Sequence, residues 1–382
     1  MAWIVTADTE TSTLFDVAVG LFPGLSDEQL MLVDASQRFI DDTFPIAAVR
    51  HRCDNADGPD ELTKYLRGAA ELGWLGFLAD DAVGGGTLSG NGVVDAALVA
   101  AERGARLQPG PFVGHSVVVH ALNQTHTLPH VLESLVSGEA WATYAFGSSS
   151  SCSLTNVNNG VALTGSIPAV AEAAVSEWLL VEADNALVVA PLHGHHVRVH
   201  ELDALDVTRK WHSVHFTDAP VHLIAESSDT TAAIITDLGR LAALLAAAEA
   251  VGAMHADVEL AVQYAKDRIA FGRPIGSFQA IKHLLADTSL SVEMAKALVA
   301  AAATALGERS EDGGGLAHAA KALVSDHGVE VAHNCFQVFG GIGYTWEHDQ
   351  HLFLRRIAAE AASYGSAAWH RERLLEEGGV AL

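Results

Sequence analysis

Asp267-Arg268-Ile269-Ala270-Phe271-Gly272-Arg273-Pro274-Ile275-Gly276-Ser277-Phe278-Gln279 is the stretch on which the reading of this chain turns. Before it, from Thr236, runs a long segment rich in Ala and Leu and almost without charge; after it, to Ala286, a second apolar period begins. Gly272, Pro274 and Gly276 fall within five residues, a density of breakers that ends one helix and re-aims the chain before the next. Ser277 is the expected cap of the second helix, with Gln279 and Lys282 in its first turns. An Arg beside a Phe-Gly turn, set between two uncharged helices, points to an anionic group passing there.

The chain has 382 residues, 49% of them hydrophobic, enough for two or three packed units. Acidic residues outnumber basic ones 47 to 22, for a formal net charge of −25. So acidic a surface argues against a nucleic-acid partner or an anionic membrane. Cys53, Cys152 and Cys335 lie far apart and read as reduced thiols of a cytoplasmic protein, with no disulfide framework and no zinc site. Asp8 and Glu10 near the start are out of keeping with a signal peptide. Leu241–Met254 is apolar but contains Glu249 and is too short for a membrane span.

Residues 1–24 show no clear period, and their role stays open. Ser26-Asp27-Glu28 then caps a helix that Pro45 closes, and further helical patterns run over 60–72, 91–103, 112–120 and 128–136. Between 141 and 216 the period shortens to that of strands, in six runs separated by Gly, Asn, Asp, Ser and Pro, with Asp184-Asn185 as a hairpin turn. From Thr230 the chain is helical again, with Gly313-Gly314-Gly315 as a loop. Helices, then strands, then helices imply an α+β fold whose middle is a small antiparallel barrel or sandwich. His193-Gly194-His195-His196 sits between two strand runs and reads as a turn, not a metal site.

The opening stretch, from Arg268 through Phe271-Gly272 to Gln279, resembles the acyl-CoA dehydrogenase signature Arg-x-x-Phe-Gly-x-x-(Ile/Leu)-x-x-x-Gln. A second signature of that family is matched by Gln337-Val338-Phe339-Gly340-Gly341-Ile342-Gly343-Tyr344. The resemblance covers roughly Leu25 to Leu375 and is poorest in the middle third. It implies an N-terminal helical domain over 1–138, a β-domain over 139–228 and a C-terminal four-helix bundle over 229–382. It also implies FAD. The family's Arg reaches the pyrophosphate of a flavin held mainly by a neighbouring subunit, and the second motif approaches the same dinucleotide. Those positions here are Arg268, Phe271, Gln279, Gln337, Gly340 and Gly341. Glycines suit such a place because close backbone approach leaves no room for a side chain. A nicotinamide-binding Rossmann unit is excluded, since no strand–Gly-loop–helix precedes either Gly cluster.

Other family positions are altered. Where family members seat the flavin ring, this chain has Tyr144-Ala145-Phe146-Gly147-Ser148-Ser149-Ser150-Ser151, which reads as a flexible loop, and Gly165-Ser166-Ile167-Pro168-Ala169-Val170. The family takes the substrate's α-proton with a Glu at one of two positions, which here are Tyr364 and Ala242. Glu249 is the nearest substitute, two turns along from Ala242, roughly 10 Å away at the helical rise. It is either a relocated base or a buried ion pair with Arg240, Lys266 or Arg268. Asp237 and Glu360 read as solvated or capping acids, and His283 and His351 as packing or surface residues.

The residues kept are those that reach toward a neighbour's dinucleotide; those lost seat a flavin ring and abstract a proton. The expectation is an α2β2 assembly with a related acyl-CoA dehydrogenase subunit, as in the heteromeric enzymes of actinobacterial steroid catabolism. The resemblance implies an acyl-CoA substrate, steroid side-chain CoA as its class, and electron-transfer flavoprotein as electron acceptor. Two other readings stay open: a self-sufficient homo-oligomeric dehydrogenase using Glu249, and a flavin-free scaffold subunit.

Overall fold

Residues 24–54, 59–147, 152–157 and 160–378 are described by the structure, a computed structural model of the chain. α1 (Asp27–Thr43) opens at Ser26, whose hydroxyl accepts from the Gln29 N–H while the Gln29 side chain accepts from the Ser26 N–H, a reciprocal capping box. α2 (Ile46–Asp54) follows Pro45 at once. It is silent in the sequence because its nine residues bury only Val49 and so carry almost no apolar period. α3 (Pro59–Glu71), α4 (Gly92–Ala105), α5 (Phe112–Thr125) and α6 (Pro129–Val136) complete the first helical group.

Seven strands follow: β1 (Ala142–Ala145), β2 (Cys152–Val157), β3 (Gly160–Ala171), β4 (Trp178–Ala183), β5 (Ala186–Pro191), β6 (Val197–Leu202) and β7 (Trp211–Ala225). Their order is β1-β4-β5-β7-β3-β2, with β6 also on β7. β7 is 15 residues long and pairs with β3 and β6 along its first part and with β5 near its end, which joins the two halves of the sheet. Asp184 and Asn185 both take positive φ between β4 and β5, as a two-residue hairpin requires. Two sequence expectations change here. The pairing is not wholly antiparallel: β1 runs parallel to β4, since the chain leaves through β2 and β3 before returning beside it. Cys152–Val157, outside the six runs read from the sequence, is a further strand paired with β3, while Ser148–Ser151 of the expected loop lie outside the described residues.

The axis of the molecule is α7 (Asp229–Asp267), 39 residues long and capped by the Ser228 hydroxyl. A hairpin of β8 (Ile269–Ala270) and β9 (Arg273–Pro274) leads to α8 (Gln279–Gly307), α9 (Gly313–Phe339), a 3₁₀ turn over Gly340–Tyr344, α10 (Gln350–Ala362) and α11 (Ala367–Glu377). Ser277 does not cap α8. Its hydroxyl donates to the Pro274 carbonyl at 2.7 Å, and the N-cap is Phe278. Gly313-Gly314-Gly315 is likewise not a loop but the first turn of α9. A Cβ at Gly314 would stand 2.6 Å from the Arg240 guanidinium, so a side chain there would displace Arg240 from its present place.

α7 is buried because α4 lies on it backbone to backbone. A Cβ at Gly104 would come within 1.9 Å of the Glu249 carbonyl oxygen, and one at Gly252 within 1.9 Å of the Ala101 carbonyl oxygen. This crossing runs one hydrophobic core through both helical groups, while the sheet keeps a second core of its own. By length and composition α7 and α8 would each be long and apolar enough to cross a membrane. In the fold the apolar middle of α7 is buried among its neighbouring helices. Gly252→Ala should cost about 3 kcal/mol, because neither helix can retreat from the added methyl. Urea unfolding measures this, and a loss below about 0.5 kcal/mol, the size of an ordinary surface change, would contradict the backbone contact.

Candidate functional site

The two signature stretches come together at one end of the bundle. Tyr264, in the last turn of α7, lies against Phe339 at the end of α9, with ring centroids 4.9 Å apart, and against His348 just before α10 at 6.5 Å. Arg268 leaves α7 with its N–H still donating to the Tyr264 carbonyl. Its side chain is exposed and has no ion-pair partner among the described residues. Phe271 and Gly272 form the β8–β9 turn at φ 53° and 80°. A Phe held in the left-handed region is strained, and this one is 95% exposed. Arg273 lies over Phe278 at 4.2 Å. Gln279, Gln337 and Gly341 are exposed and Gly340 is half-buried. A Cβ at Gly340 or Gly341 would meet nothing within 4 Å, and Gly340 takes φ 61°. Ile269, Ile342, Tyr344 and Trp346 add exposed apolar surface to the same end. An unpaired cation, open glycine backbone, two amides and free aromatic faces are the donor set a dinucleotide pyrophosphate and its ring systems need, so these residues fit that end of FAD.

Tyr364 stands in the turn between α10 and α11 at φ 54°. Its ring stacks on Tyr144 at 6.4 Å and 12° and meets Phe146 edge-on at 6.2 Å. Phe146 continues the cluster to Trp369 at 5.6 Å and lies over Gly239 of α7. The Tyr144 hydroxyl donates to Glu182 Oε1 at 2.5 Å, and burial pushes the Glu182 carboxyl above its usual range. Aromatic rings thus meet at one of the two positions where the family resemblance leads one to expect the base, and the other, Ala242, is a buried methyl on α7.

Glu249 is fully buried and paired, but not with the residues expected from the sequence. Arg209 donates to its Oε2 at 2.6 Å, and Arg103 Nε lies 3.5 Å from Oε1. Arg240 instead serves Asp237 and Glu377, while Lys266 and Arg268 are exposed at the far end of the helix. Burial raises the Glu249 pKa, but the Arg209, Arg103 and Arg356 guanidiniums outweigh it and hold the carboxyl below its ordinary value. Glu360 is also buried, contrary to its reading as a solvated or capping acid: Arg209 donates to it at 2.6 Å, and burial lifts its carboxyl to about 7. Lys321, lowered to about 8 by burial, donates to the Glu360 and Ala361 carbonyls and holds the end of α10.

Arg209 belongs to a short segment, Asp206–Lys210, that enters the centre of the protein ahead of β7. Asp206 accepts from Arg356 at 2.8 Å and from its own Thr208 N–H and hydroxyl. Arg356 also donates to the Leu107 and Gln108 carbonyls behind α4. Glu172 accepts from the Gly110 and Lys210 N–H groups. Sequence reading missed this cluster. Its one local sign was Asp-x-Thr, the pattern of a side chain bonding its own backbone two residues on.

A cavity of about 600 Å³ lies elsewhere, lined by Asp80, Asn91, His120, Asn123, Arg240 and Arg309 among others, and neither Tyr364 nor the signature residues reach it. Among the described residues no group of three or more His, Cys, Asp or Glu is placed to hold a metal ion.

Comparison with known proteins agrees with this fold. The N-terminal-domain model of acyl-CoA dehydrogenases matches residues 26–127, and the C-terminal-domain model matches 234–378. Acyl-CoA dehydrogenase FadE34 of Mycobacterium tuberculosis is 34% identical over 84% of this chain, which spans only 43% of that protein's length. Acyl-CoA dehydrogenase IpdE2 of the same organism is 30% identical over 82% of this chain and 86% of its own. Among solved structures, the ChsE4–ChsE5 complex from Mycobacterium tuberculosis superposes with a TM-score of 0.82 at 22% identity, covering 94% of this chain and 99% of that one. A Tcur3481–Tcur3483 steroid ACAD variant does so at 0.82 and 21%, covering 93% and 99%. At those identities the superpositions speak for the fold. The chain belongs to the acyl-CoA dehydrogenase family, whose members are FAD-binding oxidoreductases.

Glu249→Gln should lower stability by about 3–5 kcal/mol, because it leaves the buried Arg103 without a carboxylate and Arg209 with Glu360 alone. Denaturant unfolding checks this. A folded variant of unchanged stability would mean that Glu249 is free for another task.

Proposed function

We propose that this chain is one subunit of an FAD-dependent acyl-CoA dehydrogenase and completes the dinucleotide site of a related subunit that carries the base. Arg268 and the backbone around Gly340 and Gly341 would hold the pyrophosphate, with Gln279 and Gln337 beside it and Phe271 against a ring. The bound flavin supplies the hydride acceptor for α,β-desaturation of an acyl-CoA thioester. This chain's part is to bind and orient; the proton leaves to a carboxylate on the partner. The observation that carries the reading is Tyr364. A phenol, enclosed by Tyr144 and Phe146, stands where a family member has its carboxylate, while the outward-facing residues remain open.

A related acyl-CoA dehydrogenase chain in an α2β2 assembly is the proposed partner, and the two-name complexes among the structural neighbours support it. The substrate is proposed to be a steroid-type acyl-CoA, supported by the steroid label of one of those neighbours, with electron-transfer flavoprotein as the electron acceptor. The self-sufficient reading is weakened by Glu249 itself, which is locked between Arg209 and Arg103 and kept ionised.

Purified alone, the chain should carry little flavin, and co-expression with a partner dehydrogenase should yield a yellow complex. Arg268→Ala in that complex should release FAD and lower turnover at limiting FAD, leaving assembly intact. Full flavin retention by the Arg268→Ala complex would sink the lending role and favour the scaffold reading.

A further inference from the structure

The second dinucleotide turn, Gly340–Tyr344, and the residues that lead from it into α10 are held on one side by aromatic packing within the bundle. Phe336 meets Tyr344 at 4.3 Å, and Phe339 meets His348 at 4.4 Å. On the other side they are gripped by α2, the short helix from the opposite end of the sequence. Arg50 donates through Nε to Asp349 Oδ1 at 2.9 Å, and its other nitrogens reach the same oxygen and the Trp346 carbonyl. The Trp346 indole N–H in turn donates to Asp54 Oδ1 at 2.5 Å, and its ring stacks on His351 at 4.7 Å. A guanidinium that holds a carboxylate and a backbone carbonyl together fixes a segment in position as well as in charge.

The same helix is anchored at its other side to the central segment. Arg52 donates to the Thr208 carbonyl and to Glu172, and the Cys53 thiol to the Val207 carbonyl at 3.3 Å. Four of its last five residues therefore face two different structures: Arg52 and Cys53 the ionic centre, Arg50 and Asp54 the turn. α2 buries little of its own and has few other reasons to be where it is. We infer that α2 is a strut that sets the height of the Gly340–Gly341 backbone relative to the rest of the fold, with Arg50 and Asp54 as positioning residues for the dinucleotide site. This rests on the role proposed above for Gly340 and Gly341.

The Arg50–Asp349 pair is partly exposed, so its loss should move overall stability little while it frees the turn. In the isolated chain, Arg50→Ala should speed hydrogen–deuterium exchange across residues 340–349 and leave the bundle helices unchanged. In the assembled oligomer it should raise the Kd for FAD about tenfold, the lower end of what losing an orienting outer contact costs at a metal site, with kcat at saturating FAD unchanged. Arg50→Lys, which can meet Asp349 but not both anchors at once, should recover part of the affinity. Asp54→Asn, which keeps an acceptor for the indole, should stay near wild type. The strut is wrong if Arg50→Ala leaves both exchange and FAD affinity unchanged while Arg268→Ala releases the flavin. It is equally wrong if Arg50→Ala unfolds the bundle as a whole. If exchange quickens but neither Arg50→Ala nor Arg268→Ala alters FAD affinity, the dinucleotide role itself fails, and the strut's function with it.

Discussion

Everything in this fold meets at Arg209. Its guanidinium ties Glu249 on α7 to Glu360 on α10, and its own segment ties Asp206 to Arg356 and, through the Lys210 N–H, the sheet to Glu172. Helices of the first group, the strands and the C-terminal bundle each contribute at least one side to this cluster. A buried ionic cluster is a weak source of net stability, since desolvation consumes most of the attraction. Its use is in specification: each charge left without its partner would be costly, so the three parts of the chain can dock in one arrangement only. The same cluster fills the middle of α7 with fixed charge, and that is a poor surrounding for a fatty or steroid chain.

Much of this was legible in the sequence, for reasons that differ from part to part. The cap at Ser26, the Asp184-Asn185 hairpin and the breakers after Asp267 are local signals whose cause and effect lie within a few residues, and each does in the structure what its chemistry implies. The gathering of Arg268 and Gly340 at one end of the bundle follows from helices that run back and forth. What could not be read is whatever depends on distant partners. Gly313–Gly315 looks like a loop because glycines usually break helices; here they start one, packed closely against the Ala305 carbonyl at Gly313 and the Arg240 guanidinium at Gly314. Glu249 looked for its cation along its own helix, yet its partners come from α4 and from the segment before β7. α2 gave no period because it works through polar ends, not an apolar face.

The site is divided in the same way. Its outward half is written in consecutive residues that keep their spacing, Arg268 to Gln279 and Gln337 to Gly341. Its inward half has to be judged from what has replaced the expected groups, and only coordinates show that the replacements are rings touching rings. Tyr364, Tyr144, Phe146 and Trp369 pack on one another, so each of these rings also helps to hold the others in place.

The exposed tip of the bundle has a consequence for the life of the chain. Phe271 is almost wholly bare, and Ile269 and Tyr344 are more than half so, and large bare apolar side chains in numbers mark surfaces made for contact. A copy that has not yet found its cover would stick to other unfinished chains and be an easy mark for chaperones and proteases. Under the proposed pairing, its abundance in a cell would follow the supply of the partner that caps that tip.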